Sequence, residues 1–215
     1  MNIDLEKLYN MQKTLDERIK KQKDLGDVST VSEKVLALFV ELGELANEWR
    51  GFKFWSEDQE PRNGTSCGLC LGAGSYVKTT TAFCDDSITE KIKEETACEA
   101  CKGTGEQISS LLEEYVDGIH FFLSLGLDIG MTEKPTSIVR QKTILKQFTT
   151  VYILISNFSV SVENGDKEEY LRDDLSDAFG AYIRLGKMIG FTGEQVERAY
   201  FAKNAVNHER QVNGY

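Results

Sequence analysis

Proline occurs only at Pro61 and Pro135 in 215 residues, and the stretches left uninterrupted repeat apolar residues at helical spacing. Proline removes a backbone donor and clashes with the preceding turn, so its scarcity favours long helices. Ile3, Leu5, Leu8, Met11, Leu15 and Ile19 predict a helix over residues 3–23, broken at Gly26 and Asp27. Thr30 and Glu33 form a capping-box pattern ahead of Val35, Leu38, Phe39, Leu42, Leu45 and Trp49. That helix runs out near Gly51. Helical spacing returns from Leu111 to Leu123 and ends between Gly126 and Gly130. A further helix is expected from about Ser137 to Phe158, a turn at Asn164-Gly165, and a helix from Tyr170 to Ile189. Thr192 and Gln195 then cap a last helix reaching about Arg210. No alternation of period two stands out except within 57–110, so the expected fold class is all-α, a helical bundle.

Residues 57–110 differ in kind. They are polar and glycine-rich and hold all five cysteines, four of them in paired motifs. The expected organisation is one helical domain formed by 1–56 and 111–215, interrupted by a segment at 57–110. Cys67 and Cys70 form one CxxC pair, and Cys98 and Cys101 form a second. Two such pairs at this separation signal a structural tetrahedral zinc site, in a small zinc-ribbon-like insertion. Glycines after each pair allow the tight turns that aim amides at thiolates. A loop-rich segment this small buries little apolar surface, so a metal would supply its stability. Each CxxCxGxG unit resembles the zinc modules of the DnaJ chaperones. That likeness covers only the two motifs and implies no chaperone activity. Cys84 is left as a spare thiol.

The formal charge is −10 and the isoelectric point about 4.8. This argues against gripping nucleic acid through a basic surface, with Lys78, Lys91, Lys93 and Lys102 as local exceptions. No apolar run of about 18 residues is present, so no membrane span is expected. The first residues, MNIDLEKLYN, lack the basic-then-apolar order of a secretory signal. The chain is read as cytoplasmic, with its cysteines as thiols or metal ligands.

The chemistry-bearing residues lie on the helices. Glu41, Glu44 and Glu48 fall at i, i+3 and i+7, one acidic stripe on one helix. Glu114 and Asp117 repeat the one-turn spacing on the helix after the insertion. If the two helices pack together, their carboxylates converge into a set of hard oxygen donors suited to magnesium. Near the C-terminus, Lys203, Asn207 and Arg210 share a helical face, with Asn204 and Gln211 beside it. Lysine and arginine there suit phosphate, and asparagine offers both donors and acceptors. His120 sits in an apolar run and reads as a satisfied core histidine.

Four stretches carry a resemblance: LYNMQKTLD at 8–16, ELGELANEWRGFKFW at 41–55, EEYVDGIHF at 113–121 and YFAKNAVNHERQVNGY at 200–215. Together they resemble the all-α dimeric dUTPases of Gram-positive bacteria and their phages, within the all-α nucleoside triphosphate pyrophosphohydrolase superfamily. The resemblance implies hydrolysis of dUTP, and of dUDP, to dUMP by a homodimer. It implies that Glu41, Glu44, Glu114 and Asp117 hold magnesium, with Glu48 as a further ligand or base. It implies that Lys203 and Arg210 hold phosphates and that Asn207 and Asn204 contact sugar or phosphate. Gln12 matches the family's base-contacting glutamine and Trp55 its pocket aromatic. The insertion departs from the family pattern, and a regulatory protein is one expected occupant for it. Two alternatives stay open: a pyrophosphohydrolase of another nucleotide such as dCTP, and a dUTPase-like protein whose insertion serves partner binding.

Overall fold

The helices begin and end where local chemistry satisfies the free backbone groups. In the computed structural model, described over residues 1–84, 88–105, 107–135 and 139–214, α1 spans Leu5–Gln22 and α2 spans Val31–Trp49. Then follow β1 (Ser75–Cys84) and β2 (Ile88–Ala97), and after them α3 (Ser110–Asp128), α4 (Ile144–Asn164), α5 (Glu168–Ile189) and α6 (Gly193–Val212). The side chains of 78–84 and 88–93 lie outside the described residues, and with them the expectations for Cys84, Lys78, Lys91 and Lys93. The fold is all-α, with one small hairpin among the described residues.

Asp4 caps α1 by accepting from the Lys7 amide at 3.2 Å. Thr192 and Gln195 form the expected capping box of α6, at 3.2 and 3.0 Å. The Thr30–Glu33 box does not form. Thr30 takes the N-cap position of α2, but its side chain accepts no cap hydrogen bond. The fourth helix also starts later than its periodicity predicts, at Ile144, and runs past Phe158 to Asn164. Thr143 caps it, and the buried Gln147 satisfies non-helical backbone just before it. Gln147 donates to the Val139 carbonyl at 3.0 Å and accepts from the Gln141 amide at 2.8 Å. Ser137 itself lies outside the described residues. The expected turn at Gly165 is present as a left-handed cap with φ +67°.

The chain divides into two compact units, residues 1–62 with 110–215, and residues 63–109. Residues 57–62 go with the helices. Arg50 donates to the Asp58 carbonyl at 2.9 Å, and the Arg62 amide donates to the Glu48 carbonyl at 3.0 Å.

In the helical unit α3 is central, packing against α1, α2, α5 and α6, while α4 joins α2 and α5. Its buried face includes Leu111, Leu112, Tyr115, Val116, Ile119, Phe122 and Leu123. Burying a side chain of this size contributes about 1.5–3 kcal/mol. Tyr115 and Tyr182 stack across α3 and α5 with centroids 4.8 Å apart, and the Tyr182 hydroxyl donates to the Tyr115 carbonyl at 2.9 Å. Each ring lies over a glycine of the facing helix. A Cβ on Gly118 would fall on the Tyr182 hydroxyl, and one on Gly186 on the Tyr115 ring. Gly118→Ala is therefore expected to destabilise the helical unit by about 1–3 kcal/mol, the usual cost of overpacking. A denaturant titration with an unchanged midpoint would contradict this.

The smaller unit is an antiparallel hairpin in which Ser75 faces Ala97 and Cys84 faces Ile88. The two CxxC turns flank its open end in sequence.

Candidate active site

Packing of α2 and α6 on α3 brings the separated motifs together. Glu41 and Glu44 come from α2 and Glu114 from α3, and one carboxylate oxygen of each lies within 4.8 Å of the others. Like charges this close disfavour one another's ionisation. Burial, followed by Asp117 and Glu44, pushes Glu41 up to about 7 against the opposing pull of Lys203. Burial, then Glu44, Asp117 and Glu41, does the same to Glu114, also to about 7. Three oxygens of this kind, disfavoured as a set of anions, suit a hard divalent cation.

Asp117 and Glu48 are placed differently from the expected ligand set. Asp117 accepts from Lys203 Nζ at 2.6 Å, and Lys203 also reaches Glu113 at 2.9 Å. Burial raises the Asp117 pKa beyond what Lys203 returns. Burial lowers that of Lys203, and its two carboxylate partners outweigh it and raise the value. Glu48 accepts from the Ser110 hydroxyl, one end of the acidic stripe held by the first residue of α3.

A cavity of about 420 Å³ adjoins the acidic set. Glu41, Asp117, Lys203, Asn207 and Arg210 line it, with Gln12 and His120. Asn204 lies close by on α6, buried, with its amide nitrogen unpartnered among the described residues. Trp55 does not line the cavity. It is 65% exposed and stands edge-on to Phe52 and Phe54, a consequence of its place in the turn after α2. A larger groove of about 920 Å³ runs along α1, but it gathers none of the acidic set and none of the C-terminal cationic and asparagine residues.

Sequence reasoning missed the residues behind Gln12. Gln12 is buried, donates to Asp16 at 2.8 Å, and accepts from Tyr200 at 2.8 Å and from His120 Nδ1 at 2.7 Å. Ser124 donates to the other Asp16 oxygen at 2.6 Å. His120 is thus buried as expected but not satisfied: its Nε2 has no partner among the described residues. Burial, then Lys203, lowers its pKa to about 3, so the ring is neutral. The signal was present in the sequence, since Asp16 follows Gln12 by one helical turn and Tyr200 opens the C-terminal motif.

The smaller unit holds a second cluster. Cys67, Cys70, Cys98 and Cys101 are buried, with their sulfurs within 4.8 Å of one another. Cys67 and Cys98 sulfurs are 3.7 Å apart, as are those of Cys70 and Cys101. These are not disulfides, which require about 2.0 Å. Sulfurs around tetrahedral zinc, with Zn–S about 2.3 Å, stand about 3.8 Å apart, so the set fits that ion. The two halves repeat one another. The Gly74 amide donates to Cys70 Sγ and the Gly105 amide to Cys101 Sγ, both at 3.2 Å. Cys67 and Cys98 amides donate to the Gly105 and Gly74 carbonyls, both at 2.8 Å. Side chains at Gly74 and Gly105 would strike the carbonyls of Gly103 and Gly72, which explains glycine at both.

A family model described as dUTPase matches residues 4–66 and 101–215, and the chain belongs to this all-α dUTPase family. Membership defines a nucleotide pyrophosphohydrolase of the dUTP diphosphatase type. No match is found among the curated proteins. The unmatched interval, 67–100, contains the hairpin and three of the four clustered cysteines. No helix among the described residues is long and apolar enough to cross a membrane.

Proposed function

We propose that the protein hydrolyses dUTP, and also dUDP, to dUMP with magnesium. The observation that carries this reading is the convergence of Glu41, Glu44 and Glu114 beside a cavity also lined by Lys203, Asn207 and Arg210. Glu41, Glu44 and Glu114 would hold the cation, and Asp117 would join them by releasing Lys203. Magnesium, when bound, supplies charge neutralisation along the phosphate chain. Lys203 and Arg210 bind phosphate oxygens, and Asn207 and Asn204 orient the sugar or phosphates. For dUTP, water attacks a phosphorus flanking the α–β bridging oxygen, the bond from that phosphorus to the bridging oxygen breaks, and dUMP and pyrophosphate separate. A carboxylate of the acidic set accepts the proton of the attacking water. Gln12 contacts the base. Zinc is the metal assigned to the four cysteines. A homodimer is the proposed assembly, supported by exposed Leu36 and Val40 on α2 and Ile153 and Val160 on α4, two helices that pack together. Sedimentation at micromolar concentration checks it.

The test is pyrophosphate release from dUTP, dCTP, dTTP and UTP with magnesium. Selective turnover of dUTP is expected. Turnover of another nucleotide in preference would replace dUTP as the substrate, and none at all would overturn the reading.

Magnesium binding should also depend on pH. The carboxyls of Glu41 and Glu114 rise from an ordinary 4.5 to about 7 on folding, so the folded state binds protons more tightly between those values. Their contribution to stability is fully present below about 4.5 and is lost as pH rises through about 7. A cation offsets that loss only where the carboxylates are ionised. Magnesium is expected to raise Tm clearly at about pH 8 and much less at about pH 5.5. Equal shifts at both would contradict the assignment.

A further inference from the structure

The cavity wall at Gln12 has a fixed polarity. An amide oxygen accepts two hydrogen bonds, and its nitrogen donates two. Both acceptor positions of Gln12 are taken, by the Tyr200 hydroxyl and by His120 Nδ1. One donor position is taken by Asp16. Reversing the amide would set its oxygen against the Asp16 carboxylate and would require the Tyr200 hydroxyl and the His120 ring to give up their donor roles. Asp16 is itself held by Ser124, and the His120 ring is stacked on Tyr200 with centroids 4.0 Å apart, so the partners do not turn independently. What remains for a ligand is one N–H. With Nδ1 donating, the other ring nitrogen of His120, a second residue lining the cavity, is a buried lone pair without a partner among the described residues.

A single donor matches a carbonyl oxygen and repels an exocyclic amine. Uracil and cytosine share the 2-oxo group and differ at position 4, where one carries oxygen and the other NH₂. Uracil also offers a ring N–H where cytosine offers a lone pair. We propose that Tyr200 and His120 are positioning residues that lock Gln12 as a donor to the base, so that the cavity selects a 4-oxo over a 4-amino pyrimidine. This rests on the reading of the cavity as a dUTP site. A site built to hydrogen-bond one group rejects an analogue whose groups leave its own buried polar atoms unpaired.

The experiment is the ratio of kcat/KM for dUTP to that for dCTP, two substrates identical outside the base. Tyr200→Phe removes one lock and His120→Leu the other. His120→Asn keeps a donor near the place of Nδ1. Each single loss is expected to lower the ratio about tenfold, mainly through KM for dUTP, and the double variant further. His120→Asn should restore most of the ratio. Equal losses on both nucleotides, with the ratio unchanged, would mean that Tyr200 and His120 serve packing alone and would overturn the proposal. Should Tyr200→Phe melt early, the Leu and Asn variants at position 120 still decide. Wild-type protein inactive on dUTP would sink the function itself, whereas selective wild-type turnover with an unmoved ratio would sink only the lock.

Discussion

Glu44→Gln is expected to lower kcat/KM for dUTP by at least about 100-fold while making the metal-free protein more stable. The two effects share one cause. Glu44 supplies one of three oxygens that converge within 4.8 Å, and glutamine keeps its size but removes its charge. A neutral amide is a poor substitute among hard ligands. Without a cation the same charge only repels, since Glu44 helps raise both Glu41 and Glu114. Removing it lets its neighbours ionise more readily. Pyrophosphate release and a melt in chelator at about pH 8 read the two effects side by side. Lower activity with lower metal-free stability would assign Glu44 a packing role instead.

The second large effect concerns the cysteines. Exchanging Cys70 and Cys101 for Ser together is expected to eliminate bound zinc and unfold residues 63–109. Structural zinc contributes about 10–16 kcal/mol in small thiolate sites, and such units unfold without it. The hairpin alone has little to replace that: Tyr76 is the partly buried hydrophobic that packs against the cysteine cluster, and an isolated two-stranded hairpin is marginal in water. Metal analysis should find one zinc per wild-type chain and none in the variant. Proteolysis of the variant should cut between 63 and 109, with the helical far-ultraviolet signal of the larger unit kept. Zinc retained by the variant, or absent from wild-type protein, would refute the assignment.

How much of this was legible in the sequence depends on the range of the interaction. Short-range chemistry read well. The capping box at Thr192 and Gln195, the left-handed Gly165 and the inward faces of α2 and α3 all follow from residues within a turn of one another. Thr30 shows the limit, because its pattern matches a capping box yet its hydroxyl makes no cap bond. The hairpin shows in the sequence only as alternation within a zinc-ribbon-like 57–110; its strands are not delimited because the glycines and cysteines around them dominate the composition, although β1 holds a run of β-branched residues. In the site, the spacing within each helix revealed the acidic pairs. It did not reveal that Asp117 turns to Lys203, which lies 86 residues away. The bonds from Gln12 to His120 and Tyr200 span 108 and 188 residues, so only the packing of α1, α3 and α6 defines them.

The edges of the insertion hold one more consequence. On the helical side, the Leu111 amide donates to the Arg62 carbonyl at 3.3 Å, and within the smaller unit the Gln107 amide donates to the Thr65 carbonyl at 2.7 Å. Chain that departs at Arg62 therefore returns beside it. The entropy of bringing the ends of α2 and α3 together grows only slowly with the length of what lies between. Such a junction works as a splice point. A tight turn, a metal-clamped hairpin or any other module with neighbouring ends can occupy it without asking the two acidic helices to move apart, so the catalytic frame and its cargo are free to diverge at separate rates.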